Sequence, residues 1–389
     1  MRGGFRVYDS DTHISPSAET LEKHFSEKLR ARAVELEAAK VPQVIHDGSM
    51  KYPEPHPKRF RFGPRGGGWR ADPPRRRGEA EARPPSSGLT VGKLMSATPP
   101  RLYTDDWDFA GRLQDMDAEG VDVALLVNPG GPSGHPDREV NVEFMRAQHR
   151  HVDAYCSTDP RRLKSLISVN ALYIEESVEE IRRWGSARWV AGVYISLPLD
   201  YPLDHPDLHP IWSAANEKNL CFVHHSFSEG YPGYRDLWRN PFIGRTASHP
   251  WGAMRAMSSF FGAGLFDRYP NLRFAILECG FGWIPFWAVR MEDQAEYMGF
   301  VAENLQHSML EYASSGRFFA SAVLHEGGRM VKMVSDYLGE QLLMFGSDYP
   351  HPESRFPGSV DVALGWKELD QGLMRKLLWD NAVRAFGEP

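Results

Sequence analysis

The sequence predicts a (β/α)8 TIM-like barrel with a long Arg/Pro/Gly-rich insertion after the first strand. Three observations carry this. Eight short, nearly continuous apolar bursts recur along the 389 residues, as strands buried on both faces of a parallel sheet require. Amphipathic stretches lie between them, so strand and helix alternate. Polar residues able to do chemistry sit at the C-terminal ends of the bursts, the end where such barrels build their sites. A doubly wound open sheet is the alternative, but no glycine-rich phosphate loop follows the first burst.

The first burst is "FRVYDSDTH", ending in Asp11 and His13. Roughly residues 41–100 come next, with "PEPHPKRFRFGPRGGGWRADPPRRRGEAEARPPSSG" at their centre. This segment lacks a hydrophobic period and cannot offset its ordering entropy by core burial. It reads as a solvated surface insertion or, functionally, as a basic lid over an anionic substrate. The remaining bursts are "VDVALLVNP" from Val121, "LKSLISVNAL" from Leu163, "VAGVYIS" from Val190 and "LCFVHHS" from Leu220. "LRFAILECG" from Leu272, "RFFASAVL" from Arg317 and "LLMFGSDYP" from Leu342 complete the eight. Helical patterns such as "EESVEEIRRWG" and "GGRMVKMVSDYLGEQ" separate them. The whole chain, 1–389, reads as one metal-dependent barrel domain.

Composition narrows the class of protein. A net charge of −6 argues against a general nucleic-acid binder. No apolar run reaches membrane-spanning length, and charged residues interrupt the start where a signal peptide needs its apolar region. A cytoplasmic location is expected. Cys156, Cys221 and Cys279 are odd in number and widely spaced, which fits reduced, buried thiols.

Asp9, Asp11 and His13 alternate along the first strand, so the period of two places them on one face. Asp9 lies deeper, as a ligand or as an anchor beneath the site. His224 and His225 end the fifth burst on opposite faces, so only one reaches the barrel mouth. Glu278 ends the sixth burst and Asp348 the eighth, with His351 just beyond; His325 and Glu326, past the seventh, are weaker candidates. A single Asp or His of this kind is usually structural, but ligand-type residues at four strand ends point to a divalent metal. One ion takes about four protein ligands; a binuclear centre would use six or seven.

This constellation resembles the amidohydrolase superfamily, in its amidohydrolase-related branch of decarboxylases, hydratases and lactonases. The resemblance spans nearly the whole chain outside the insertion. It rests on Asp11-x-His13, on "FVHH" at His224, on "RYPNLRFAILECGFGWIPFW" around Glu278 and on "FGSDYPHPESRFPGS" around Asp348. It implies that Asp11 and His13 stand where a His-x-His pair usually binds metal, with His224 as the fifth-strand ligand and Asp348 as the eighth-strand one. Glu278 stands where decarboxylases carry a proton-handling histidine. The fourth strand, "VYISLPLD", has no lysine to bridge two metals. The resulting metal set is Asp9, Asp11, His13, His224, Glu278 and Asp348, with Glu278, Asp348 and His351 as catalytic groups.

The carboxylates shift metal preference from zinc toward harder ions. This sequence reading ranks first a non-heme di-iron monooxygenase, resembling a branch of the fold from platensimycin-type diterpenoid antibiotic biosynthesis. Two Fe ions, with Mn or Zn as alternatives, would serve hydroxylation of a bulky acyl-coenzyme A. Arg75, Arg76 and Arg77 of the insertion would grip its anionic tail. A metal-dependent decarboxylase is the alternative, or a lactone or amide hydrolase in which Asp348 takes a proton from metal-bound water. A binding protein with a degraded site is disfavoured, because ligand-type residues persist at the strand ends. A homodimer is expected as the commonest soluble assembly.

Overall fold

A computed structural model describes residues 1–42, 57–62, 108–128, 134–198, 201–225, 241–300, 304–351 and 353–389. The eight bursts form eight parallel strands, paired in chain order. They are β1 (Tyr8–His13), β2 (Val123–Val127), β3 (Leu163–Asn170), β4 (Val190–Ser196), β5 (Cys221–His225), β6 (Arg273–Leu277), β7 (Phe318–Ala322) and β8 (Leu343–Phe345). Helices connect them, and β8 returns to β1 through a parallel bridge between Thr12 and Tyr349. The expected (β/α)8 barrel is what forms.

Strand alternation sorts the core into two layers. Tyr8, Val123, Leu125, Val127, Val223 and Met344 belong to the cluster that fills the barrel. Phe222, Phe260 and Phe274 belong to the larger cluster between strands and helices, where the Phe260 and Phe274 rings stack at 4.5 Å. Near the chain's end, Trp379 and Phe386 close the N-terminal end of the barrel, their rings 5.9 and 6.1 Å from that of Tyr8. The opposite end, where the strands finish, is left for a site.

The segment expected to lack core burial is corrected at one point. Lys58–Phe60 pairs antiparallel with Lys40–Pro42. Phe60 is buried against Phe25 and Phe144, with ring centroids 5.7 and 5.0 Å away. Two aromatic residues in "KRFRF" suffice, because Phe62 also packs on Phe144 at 5.2 Å. Arg75, Arg76 and Arg77 lie outside the described residues. No helix among the described residues is long and apolar enough to cross a membrane.

Glu119 ends the helix Phe109–Glu119 and accepts the Val360 N–H at 2.8 Å. Burial pushes its carboxyl up to about 7, against the hydrogen bonds from Val360 and Ser359 and the nearby charge of Arg2. The folded chain therefore holds this proton more tightly than the unfolded chain does. The associated stability is present below the ordinary glutamate range and is lost as pH rises through about 7. Glu119→Gln keeps the acceptor without the charge. Thermal melts should show it more stable than wild type at alkaline pH by about 1–3 kcal/mol, with the gain fading toward pH ~4. A gain independent of pH would contradict this account.

Candidate metal centre

The centre begins with an irregularity in β1. Tyr8 and Asp9 oppose Val123 and Ala124, whereas Thr12 and His13 oppose Leu126 and Val127. Three steps on β1 thus match two on β2, which is a β-bulge. Val123 and Val127 both face the interior, so Tyr8 and His13 do as well, although five positions separate them. In an unbroken strand they would face opposite ways.

The bulge corrects the expectation that Asp9, Asp11 and His13 share a face. Asp11 and His13 point into the mouth and Asp9 does not. The Asp9 Oδ1 accepts the backbone N–H groups of Asp11 at 3.2 Å and Ser347 at 3.0 Å. Burial pushes Asp9 up to about 7 despite those bonds.

A second correction concerns β5. Cys221 and Val223 lie in the barrel interior, and alternation carries His225, not His224, to the same side. His225 Nε2 stands 3.4 Å from Asp11 Oδ1 and 3.1 Å from Glu278 Oε2. His224 follows Phe222 onto the opposite face, where burial, with the charge of His225, pushes its imidazole down to about 3. The resemblance selected His224, whereas the strand turns His225 toward Asp11 and Glu278; the interior cysteine and valine were the signal for that facing.

Glu278 follows Leu277, itself an interior residue, so alternation alone would turn Glu278 outward. Its backbone instead adopts φ +56°, and its N–H donates to Ser321 Oγ at 3.0 Å. Asp348 has φ +61°. Left-handed backbone costs a side-chain-bearing residue about 1–2 kcal/mol. Of the three non-glycine residues that adopt it among the described residues, these two stand at the site, the third being Asn219. Such strain is found where a side chain must be aimed.

The loop after Glu278 explains "CGFGW". Glu326 accepts the N–H groups of Phe281 at 3.0 Å and Gly282 at 2.7 Å. A Cβ on Gly280 or Gly282 would come within 2.6 or 2.8 Å of that carboxylate. Glu326 thus supports the loop from below. His325 is exposed.

His13 Nε2 lies 2.9 Å from Asp348 Oδ1, 3.5 Å from Asp11 Oδ1 and 3.7 Å from Glu278 Oε2. The His351 ring packs 4.4 Å from that of His13, with its side chain 48% exposed at the mouth. Ligand atoms of three groups converge within 4.8 Å: Asp11, His13 and His225; His13, Asp348 and His351; and Glu278, Asp348 and Glu353. Glu353 was missed in the sequence, where it is one acid in a polar loop.

This donor set fits a divalent cation. Asp11 Oδ1, His13 Nε2 and both Asp348 carboxylate oxygens are buried and, although they crowd one another, none is aligned for a hydrogen bond among the described residues. Buried polar atoms left this way are costly. Burial, together with the charge of Glu278, holds Asp11 above its ordinary range, even against His225. Burial, then Glu278 and Asp11, push Asp348 well above. Burial and the charges of His351 and His225 hold His13 well below its range. Burial alone would lower His225 and raise Glu278, but their mutual attraction reverses both. A cation among these oxygens and imidazoles would relieve both the repulsion and the missing bonds, and mixed donors of this kind suit Mn²⁺, Fe²⁺ or Zn²⁺.

A family model described as amidohydrolase matches residues 8–387. The 2-amino-3-carboxymuconate-6-semialdehyde decarboxylase of Dictyostelium discoideum is 25% identical over 291 residues, 72% of this chain and 77% of that protein. An amidohydrolase of Mycobacterium avium subsp. paratuberculosis superposes with a TM-score of 0.70 at 16% identity, over 98% of each chain. A 5-carboxyvanillate decarboxylase of Novosphingobium aromaticivorans was solved with manganese and 4-hydroxy-3-methoxy-5-nitrobenzoic acid. It gives a TM-score of 0.64 at 16% identity, over 99% of this chain and 97% of that one. The two structural likenesses show a shared barrel.

The opposed faces of "HH" give a direct check. His225→Ala should weaken Mn²⁺ binding by more than about 10-fold, the loss typical even of outer partners of a metal site. His224→Ala should leave the affinity within about 3-fold and lower the melting temperature instead. Titration of free Mn²⁺ by its EPR signal reads both. The reverse pattern would return the ligand role to His224.

Proposed function

The chain belongs to the amidohydrolase family, and from that premise we propose that it is a metal-dependent decarboxylase of a small carboxylate substrate. The observation that carries the proposal is the set of buried Asp11, His13 and Asp348 atoms that lack hydrogen bonds and converge at the barrel mouth. The decarboxylase reading, an alternative at the sequence level, now stands ahead of the monooxygenase. Two of the relatives described above are decarboxylases by name, and one of these was solved with manganese. Iron, an acyl-coenzyme A substrate and antibiotic biosynthesis have no support from those relatives. The cytoplasmic location and the homodimer remain parts of this proposal.

In this reading Asp11, His13, His225 and Asp348 hold the metal, and Asp9 is an anchor and not a ligand. A cation held there would supply positive charge that stabilises the electron pair left when carbon dioxide departs. That pair stays on the substrate carbon, which then takes a proton. Glu278, ordered by Ser321 and by the loop over Glu326, rests as a carboxylate beside His225, so it takes up a proton through His351 and passes it to that carbon from the side of the mouth. His351, half in solvent, returns a proton to the site. One proton enters for each carbon dioxide released. The buried walls around Glu278 and Asp348 keep bulk water from the carbanion's carbon until this transfer occurs.

Metal analysis of protein purified without added metal, with anaerobic assays of carbon dioxide release from hydroxybenzoates and muconate-type acids, tests the proposal. About one divalent ion per chain and oxygen-independent release are expected. Glu278→Gln should retain the metal and lower kcat by about 100-fold or more. Two irons per chain with oxygen-dependent turnover would restore the monooxygenase reading.

A further inference from the structure

Arg112 is 1% exposed, and no role in the chemistry above requires it. It lies on the helix Phe109–Glu119, outside the barrel wall. One terminal nitrogen, Nη2, donates to the carbonyl oxygen of His13. Its guanidinium lies over the Tyr349 ring, 4.7 Å from the centroid. The Tyr349 hydroxyl donates to Asp115, which is buried one turn along the same helix. Tyr349 in turn accepts the His13 N–H through its own carbonyl at 2.7 Å. Both main-chain polar groups of His13 are therefore fixed, one by Tyr349 and the other by the arginine stacked on Tyr349.

We infer that Arg112, Tyr349 and Asp115 form a clamp that positions His13 and Asp348 relative to each other for metal binding. They are positioning residues, since the contacts described above reach the backbone of His13 and not the converging ligand atoms. His13 Nε2 and Asp348 Oδ1 must share one point, yet they come from the two sides of the barrel's closing seam. Tyr349 is bonded to Asp348 through the chain, and Arg112 ties His13 to the Tyr349 ring. A slip along the seam would break the Arg112–His13 bond, unstack the guanidinium and pull the hydroxyl from Asp115 together. The planar guanidinium suits this task, because it can donate in its plane and stack on its face at once; an ammonium cannot. Arg112 Nε and Nη1 make no hydrogen bond among the described residues, so among those residues the contacts with His13 and with Tyr349 orient this buried guanidinium.

The inference rests on the metal reading, and the experiment separates the two. Metal-free wild type, Arg112→Lys, Arg112→Met, Tyr349→Phe and Asp115→Asn are titrated with Mn²⁺. The EPR line shape of the bound ion is recorded, and each apo protein is melted. Wild type should bind. Arg112→Met should bind about 10- to 100-fold more weakly, the range for partners that orient a ligand, with a broadened bound-ion spectrum. Arg112→Lys should recover part of the affinity through the His13 carbonyl, and Tyr349→Phe and Asp115→Asn should each lose less than Arg112→Met. Arg112→Met combined with Tyr349→Phe should lose little beyond the worse single change, since both act through one joint. Variants that melt lower but bind Mn²⁺ with wild-type affinity and line shape would reduce the clamp to a brace of the fold. Should Arg112→Met fail to fold, the two milder variants decide on the same criterion. Wild type that takes up no Mn²⁺ would overturn the metal reading and this inference together.

Discussion

The structure depends on how the barrel closes. β8 is only three residues long, Leu343–Phe345, and the seam to β1 is made largely by the residues after it. Asp348 donates its N–H to the Asp11 carbonyl at 2.9 Å, and His13 donates to Tyr349 at 2.7 Å. Ser10 Oγ donates to the Phe345 carbonyl at 2.7 Å, and Asp9 accepts from Ser347 and from Asp11. Every member of this seam except Phe345 is a candidate ligand or its neighbour. Closing the barrel and setting the spacing of Asp11, His13 and Asp348 are therefore one event. Gly346 shows how tight the seam is: a Cβ there would stand 3.0 Å from that of Asp11 and 3.1 Å from that of Ser321.

Such a seam concentrates charge, and the cost has to be met elsewhere. Asp11, Glu278 and Asp348 gather around His13 and His225 where water is mostly excluded, and two of the three carboxylates carry strained backbone. A local arrangement of this kind survives because the surroundings over-determine it. The interior cluster from Tyr8 to Met344 fixes the strands below, and Ser321, Glu326 and the Arg112 helix brace the turns beyond them. The site is thus held by elements that take no part in it, and its own repulsion is what a bound cation would cancel.

Much of this was legible in the sequence. The bursts gave the strands because strands buried on both faces leave no ambiguity about burial, only about length. The C-terminal ends gave the neighbourhood of the site because barrel topology gathers them. Facing was where reading failed. Alternation predicts a side chain's face only while the ladder is unbroken, and one extra residue between Asp9 and Thr12 reversed the phase. For His224 and His225, the phase could have been read from Cys221 and Val223, since the strand there runs regular to its end. Glu278 was found for its place after a burst, yet its inward aim comes from a backbone angle that no periodicity encodes. Function was least legible, because a carboxylate-rich donor set is shared by sites with one metal and with two, and residue types alone do not count ions.

The groups at the mouth divide by origin, and that division bears on the chemistry. Asp11, His13 and His225 come from the strands themselves, and Asp348 is fixed by the seam. Glu278, His351 and Glu353 come from the turns beyond. His13 and Asp348 each belong to two of the three converging groups, and the group they share also holds His351, so a cation near both would draw on strand and turn residues together. Strand positions are locked by the ladder to fractions of an ångström, whereas turn residues can change without unmaking the barrel. A carboxylate at Glu278 instead of an imidazole is a change of the second kind. It alters the charge that faces the mouth while the strand residues stay where the barrel puts them.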